Sequence, residues 1–427
     1  MDLPLSYVEN GTDFIARADH YGPYISLYAL PLAAFSTSAL ATPQADFLAF
    51  KPWAQASADS ATGFSGECYM VALGLFEGMM QAEGIAVPVG AIMSDWPGAS
   101  ITQLVPPSVL TACNSSAHAS EQPLSATFPG PIPGPGPASS QWNTMVAPLT
   151  VGPLAVNNFV YHQGEADVHG SYDPAHTNNL TSERVYSWYS CRLRALMADF
   201  VTRLGGLEDT AWFGISQLNP YAGDCSGNGG CSHLAALRSA QFDVAVSTPR
   251  ASCGVIPDLG DPWAPAGSVH SRRKLALAQR LVAGALALRY NASAPFYGPR
   301  YSAAVDVSTP SALSARVSFS PASLDGGLQL VYGVNGTSWC PVGASPTAPT
   351  LDECGWYSLK GSLSGWQNAT LSIDAGGSTA TLSAARSQGA GDAVVATAAY
   401  WSAYPVATLF SRDHALPAVP WNQTLLK

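Results

Sequence analysis

The spacing of apolar residues changes period part-way along this chain, and that change decides what it can fold into. From the amino terminus to about residue 290, short apolar runs alternate with stretches in which apolar residues recur at helical spacing. Such alternation is the pattern of parallel strands, each followed by a helix that covers the sheet. It predicts helices over Glu67–Gly84, Val185–Leu204, His233–Ala245 and Arg273–Tyr290; in the third, Leu234, Leu237 and Phe242 fall on one face. It predicts strands over Val87–Met93, Phe159–Tyr161, Trp212–Leu218 and Cys253–Ile256, each bounded by turn residues. The Pro/Gly segment Phe128–Ser140 reads as a surface loop. Beyond Tyr290 the period falls to two. The runs ARVSF, LQLVYGV, ATLSI and AVVATAAYW are separated by Gly, Ser, Pro and Asn, which predicts an antiparallel β-domain. The boundaries expected are an α/β domain over residues 1–295 and a β-sandwich-like domain over 296–427, with no internal repeat.

Charge narrows the partners. The 427 residues carry 19 Lys+Arg against 29 Asp+Glu, a formal charge of −10, with no basic run. That balance argues against nucleic acid or an anionic membrane as the main partner. Charged residues amount to 11% of the chain, against roughly 25% in an ordinary soluble domain, so other polar material must wet the surface. Glycan is the expected material. Asn-X-Ser/Thr acceptors occur at Asn10, Asn114, Asn179, Asn291, Asn335, Asn368 and Asn422, seven of the thirteen asparagines, where chance gives roughly two.

Eight cysteines, an even number scattered without metal-type pairs, point the same way, to an oxidising secretory route. They admit on the order of a hundred pairings, with Cys225–Cys231 and Cys340–Cys354 the local possibilities. The opening MDLPLSYVENGTDF has neither the basic nor the apolar region of a signal peptide. The uncharged stretch Tyr21–Gln44 is broken by Pro23, Pro31 and Pro43 and makes no membrane anchor. Sequons without an entry signal lead to the expectation that the start is incomplete.

Three segments could carry chemistry. In FVYHQGEAD (Phe159–Asp167) an apolar strand runs into Gln163, Gly164 and Glu165, at the strand end where ligands bind in open α/β sheets. A Gln amide there could donate to a developing oxyanion, and Glu165 could fix the amide's orientation. In AIMSDWPGAS (Ala91–Ser100) a strand ends in a turn whose Gly98 could bring its N–H close to a ligand. In PDLGDPWAPAGSVHSRRK (Pro257–Lys274) His270 stands at the mouth of a helix with Asp258 and Asp261 nearby, a setting for a general base. Each is also an ordinary turn or loop when taken alone. His169 and His176 lie near Asp167 and Asp173, but their spacing fits no metal site, and no metal or cofactor is expected. GxSxG, P-loop and Rossmann fingerprints are absent.

Taken in order, the three segments resemble the sialate O-acetylesterases, a branch of the SGNH (GDSL-like) hydrolases. The family's blocks read roughly GQSNM, WGGT, WYQGE(S/A)N, then D-L-x-D followed by GS(I/V)HPRDK. SDWPGAS resembles the second, VYHQGEAD the third, and PDLGDPWAPAGSVHSRRK the last without a gap. FSGECYMVALGLFE, WNTMVAPLTVGPL, ISQL and YWSAYPVATLFSRDHALPAVPW also have counterparts, so the resemblance runs along nearly the whole chain.

It implies a three-layer α/β/α sandwich and a Ser–His hydrolase that removes O-acetyl groups from sugars. His270 matches the base, Gly98 and Gln163 match oxyanion-hole positions, and Asp258 is the favoured candidate to orient the imidazole.

Departures from the pattern are specific. Trp-Tyr before QGE is Tyr161-His162 here, and Pro97 replaces the first Gly of the second block; Gly267, three residues before the base, stands where many SGNH hydrolases have Asp but agrees with the sialate esterase pattern. Met1 stands where the motif GQSNM has its Met. The nucleophilic serine is therefore expected two residues upstream, with the first core strand also missing and the chain as written inactive. Ser65 and Ser94 read as a cap and a turn residue rather than as substitutes. The competing expectations are a glycan-binding protein of the same fold that does not hydrolyse its ligand, and a structural glycoprotein that has lost the site. Retention of QGE and of the loop to His270 argues against the last.

Overall fold

A computed structural model of the chain describes residues 3–30, 43, 45, 52–113, 138–152, 154–168, 181–205, 211–221, 230–331, 357–389 and 391–425. The chain forms two compact units. The first comprises Met1–Leu218, Ser226–Gly254 and His270–Ala294, the second Asn219–Cys225, Val255–Val269 and Pro295–Lys427. Residues 219–221 and 255–269, which the sequence put with the α/β domain, thus group with the β unit.

The first unit runs α1 (Gly11–Tyr21), β1 (Ile25–Ala29), β2 (Ala54–Gln55), α2 (Ala58–Thr62), α3 (Gly66–Glu83), β3 (Val89–Met93), α4 (Ile101–Leu104) and α5 (Pro107–Cys113). A π-helix (Trp142–Val146) then leads to β4 (Asn158–Tyr161), α6 (Glu165–Val168), α7 (Ser182–Leu204), β5 (Trp212–Ser216), α8 (Gly230–Ser247), β6 (Ala251–Gly254) and α9 (Lys274–Arg289). All four helices and four strands expected from periodicity are present, shifted by a few residues at their ends. Among the described residues the parallel strands fall into two sheets of three strands each, β2-β1-β3 and β4-β5-β6, with β2 antiparallel to β1.

Local chemistry explains the element ends. The Ser65 hydroxyl accepts from the Cys68 N–H at 2.9 Å to start α3, and Gly84 ends it in the left-handed region at φ 68°. Thr181 caps α7 in the same way through the Arg184 N–H at 3.2 Å. Strand β5 (WFGIS) is buried along its whole length, as a central parallel strand covered on both faces must be.

Cys113 at the end of α5 and Cys191 in α7 are disulfide-bonded across 78 residues of chain, while Cys68 and Cys253 remain thiols. Full pairing of the eight cysteines is therefore not what the fold makes. Cys225, Cys340 and Cys354, and the side chain of Cys231, lie outside the described residues. Closing so long a loop restricts the unfolded chain, so Cys191→Ser is expected to lower the unfolding free energy by about 2–5 kcal/mol. Denaturant titration of the variant checks this; a change within experimental scatter would refute it.

The second unit contains β7 (Tyr301–Asp306), β8 (Ala312–Phe319), β9 (Leu328–Leu330), β10 (Tyr357–Gly361), β11 (Gly365–Asn368), β12 (Thr370–Ile373), β13 (Thr379–Ala385), β14 (Val394–Ala399), β15 (Leu409–Ser411) and β16 (Trp421–Thr424). Two antiparallel sheets, β11-β10-β14-β16 and β12-β13-β8-β7, share one core that includes Leu313, Val317, Leu359, Leu382 and Trp421; β15 pairs with β9. Inward and outward residues alternate along β8 and β13, the period-two signal read from the sequence.

Asn10, Asn291, Asn368 and Asn422 are exposed, while Asn114, Asn179 and Asn335 lie outside the described residues. So does most of the Phe128–Ser140 segment, along with His169 and His176. No helix among the described residues is long and apolar enough to cross a membrane.

Candidate active site

The chemistry-bearing segments follow the carboxyl ends of parallel strands. Beyond β3 the chain turns at Pro97-Gly98, with Gly98 at φ 73°, a conformation open to glycine at no steric cost. Beyond β4 it passes through His162, Gln163 and Gly164 into the short helix α6. Gly164, at φ 142°, has no room for a Cβ, which would come within 2.8 Å of Leu237.

Gln163 is buried and its side chain is fully engaged. Its Nε2 donates to the Ala99 carbonyl at 3.0 Å and to Asp167 Oδ2. Its Oε1 accepts from the Tyr161 hydroxyl at 3.1 Å, and its main-chain carbonyl accepts from Tyr189 and Gln241. Two expectations change as a result. Both amide hydrogens are spent within the protein, so Gln163 holds the turn after Gly98 in place rather than presenting a spare donor. The group that fixes the amide is Asp167, not Glu165; a carboxylate four residues on along α6 reaches back to Gln163, whereas Glu165 turns to His162. Asp167 also accepts from the Ile101 N–H at 3.1 Å, tying the start of α4 to α6.

Behind this lies a buried charge cluster that motif reasoning passed over. Glu67, in the first turn of α3, accepts from His162 Nδ1 at 2.6 Å, from Lys274 Nζ at 3.3 Å and from the Ser216 hydroxyl. His162 Nε2 stands 3.4 Å from Glu165 Oε1, so each ring nitrogen faces a carboxylate. Burial pushes the Glu67 carboxyl up, but His162, Lys274 and the hydrogen bonds outweigh it and hold the group well below the usual carboxylate range. Glu165 is likewise held well below that range: burial opposes ionisation, and the facing His162 is among the groups that overcome it. The signal available in the sequence was the Tyr161-His162 departure, which placed a titratable ring where the family pattern has a phenol.

His270 is partly buried at the return of the chain into the first unit, four residues before α9. Burial above all lowers its proton affinity from the ordinary 6.5 to about 4; the charge of the chain's terminal amino group comes next, Lys274 and His162 add to it, and Glu165 pulls the other way. It therefore shares an electrostatic neighbourhood with the QGE segment. Its buried Nδ1 makes no hydrogen bond among the described residues. Asp258 lies in a turn of the second unit, and Asp261 is buried in the same stretch.

The two serines considered as substitute nucleophiles are structural. Ser65 is the cap of α3, and the Ser94 hydroxyl donates to the Met145 carbonyl at 3.5 Å. The described residues contain no group of three or more His, Cys, Asp or Glu arranged to hold a metal ion.

Comparison with known proteins gives consistent relatives. No family model matches the chain. The sialate O-acetylesterases of Pongo abelii and Homo sapiens are each 28% identical to it over 239 residues, 54% of this chain and 42% of theirs. The sialate O-acetylesterase of Rattus norvegicus is 26% identical over 276 residues, 58% of this chain and 48% of its own. The matches thus span less than half the length of these relatives. Among solved structures, a carbohydrate acetylesterase from Xanthomonas citri superposes with a TM-score of 0.68 at 22% identity, covering 99% of this chain and 78% of that one, and so shares its fold.

Proposed function

Because this chain is a relative of the sialate O-acetylesterases, we propose that it belongs to a carbohydrate O-acetylesterase that cleaves acetyl esters on sugars by a Ser–His mechanism. The observation that carries the reading is the partly buried, weakly basic imidazole of His270 beside the QGE segment. An imidazole kept neutral down to acid pH is in the form a general base requires. In this reading a serine attacks the acetyl carbonyl and passes its proton to His270. The C–O bond to the sugar then breaks as His270 returns that proton to the departing sugar oxygen. Water, deprotonated by the same imidazole, releases acetate from the acyl-serine. The Gly98 N–H donates to the tetrahedral oxyanion, and Gln163 keeps the turn that carries it in place.

The serine is that of the family's GQSNM block, in the residues that precede Met1. Support comes from the register of Met1 with that motif and from the structural employment of Ser65 and Ser94. The Cys113–Cys191 bond and the exposed sequon asparagines support passage through an oxidising secretory route with glycosylation. The substrate class is an O-acetylated sugar or glycan, with no cofactor, nucleic acid or membrane partner.

The second reading, a glycan-binding protein without turnover, differs in one measurement. Mapping the 5′ end of the transcript and expressing whatever it encodes ahead of Met1 is expected to yield Gly-Gln-Ser-Asn in frame and acetate release from acetylated sugars. A transcript that starts at Met1, with no acetate released, would sink the esterase in favour of binding, then measurable by calorimetry with acetylated oligosaccharides.

A further inference from the structure

Three anchors converge on four consecutive residues just after Gly98. Gln163 Nε2 donates to the Ala99 carbonyl at 3.0 Å. Asp167 accepts from the Ile101 N–H at 3.1 Å through Oδ2 and 3.3 Å through Oδ1. Arg192 donates from Nη1 to Thr102 Oγ1 at 3.0 Å. The first two are joined, because Gln163 Nε2 also donates to Asp167. Asp167, Gln163 and Arg192 are all buried, at 7%, 6% and 2% exposure, so water does not compete for these bonds.

A carboxylate serves both neighbours with charge: Oδ2 accepts from the Ile101 N–H and from Gln163 Nε2, and Oδ1 gives the Ile101 N–H a second acceptor. The family block quoted above has Asn at this place. An Asn oxygen at the place of Oδ2 could accept from both, but uncharged, and a donor NH2 would stand where Oδ1 now gives the Ile101 N–H its second acceptor. An ionised Asp accepts from both, and with stronger, charge-assisted bonds.

We propose that Asp167 is a positioning residue whose ionisation sets the placement of the Gly98 turn, tightening it when charged and loosening it when protonated. This deepens the esterase reading and rests on it for the anion that Gly98 would meet; the clamp itself stands on the geometry. The groups facing Asp167 are Gln163 and the Ile101 N–H, Arg192 and Tyr189 from α7, Tyr161 from β4, and Glu165 from its own helix. Burial raises its carboxyl to about 7 and Glu165 pushes the same way, against Gln163, Ile101 and Arg192. The change of charge then falls in the neutral range, where an exposed Asp is already ionised. The turn is held more tightly as pH rises through that range.

Selective ¹⁵N labelling of glycine tests this, with the Gly98 amide identified by its loss in Gly98→Ala. In the wild-type chain that resonance is expected to move between pH 5.5 and 8.5 with one midpoint near 7, and to stay still in Asp167→Asn. Arg192→Gln, which removes a cation favouring the charged form, is expected to move the midpoint up. A Gly98 resonance that does not titrate, or titrates alike in Asp167→Asn, overturns the proposal, as does an unmoved midpoint in folded Arg192→Gln.

In the acetate-releasing protein, kcat is expected to rise several-fold across the same midpoint and to lose that step in Asp167→Asn, with KM within about twofold. A merely structural role would lower activity at every pH alike. If no acetate is released by any form, the esterase reading fails, and the Gly98 titration still decides the clamp.

Discussion

Replacing Glu67 by Gln is expected to destabilise the first unit by about 3–5 kcal/mol, the scale for breaking a buried ion pair from one side. Lys274 is 1% exposed and has its charge balanced by Glu67 at 3.3 Å, while His162 donates to the same oxygen at 2.6 Å. Gln keeps the shape and removes the charge, leaving the cation inside without its counter-ion. Removing both partners, in Glu67→Gln with Lys274→Met, is expected to cost less than Glu67→Gln alone, because the uncompensated charge goes with them.

The pH dependence has a definite sign. The Glu67 carboxyl is held well below its unfolded value near 4.5. The stability it contributes is therefore complete above that pH and is lost as pH falls below it. Glu67→Gln should show a flatter acid limb in unfolding free energy. A single substitution costing under about 1 kcal/mol would mean the pair is already broken or hydrated, against the burial described.

His270→Ala is expected to reduce acetate release by about a thousandfold or more in the protein that carries its serine, with KM little changed. The base acts unprotonated, and burial above all, with the nearby Lys274 and His162 charges, lowers its proton affinity. Activity should therefore persist below pH 6.5, with its acid collapse beneath the smaller step assigned to Asp167. Linkage gives a second signature. Between about 4 and 6.5 the unfolded chain binds a proton at this residue that the folded chain does not, so stability falls as pH falls through that window. His270→Ala removes that slope. Acetate release by His270→Ala at rates near wild type would remove His270 from the reaction.

The sequence read the two-part architecture well because periodicity is a local property. Helices such as Ser182–Leu204 and strands such as Trp212–Ser216 were predicted within a few residues, and the β unit followed from the change of period after Tyr290. What it missed was short or lacked contrast. Helix α1 is short and buries only Gly11, Phe14 and Ala18 on its one face, β1 is five residues within an uncharged stretch, and the break into two three-stranded sheets depends on which strands meet.

The site divides along the same line. Gly98, Gln163, Glu165 and His270 could be singled out because each belongs to a contiguous block with a turn or strand end in it. Their partners could not, because hydrogen bonds join residues far apart in the chain. Glu67 meets His162 across 95 residues and Lys274 across 207, and Asp167 meets Ile101 across 66. Spacing also misassigned the nearer pair: Glu165 and Asp167 both follow Gln163, but only tertiary placement decides which carboxylate faces the amide. The sequence by itself thus determined the elements, their order and which segments carry chemistry, because those are set by neighbours along the chain. Tertiary structure alone decided the protonation of His270, the pairing of Glu67 and the role of Asp167, because burial and charge at a point depend on everything packed around it.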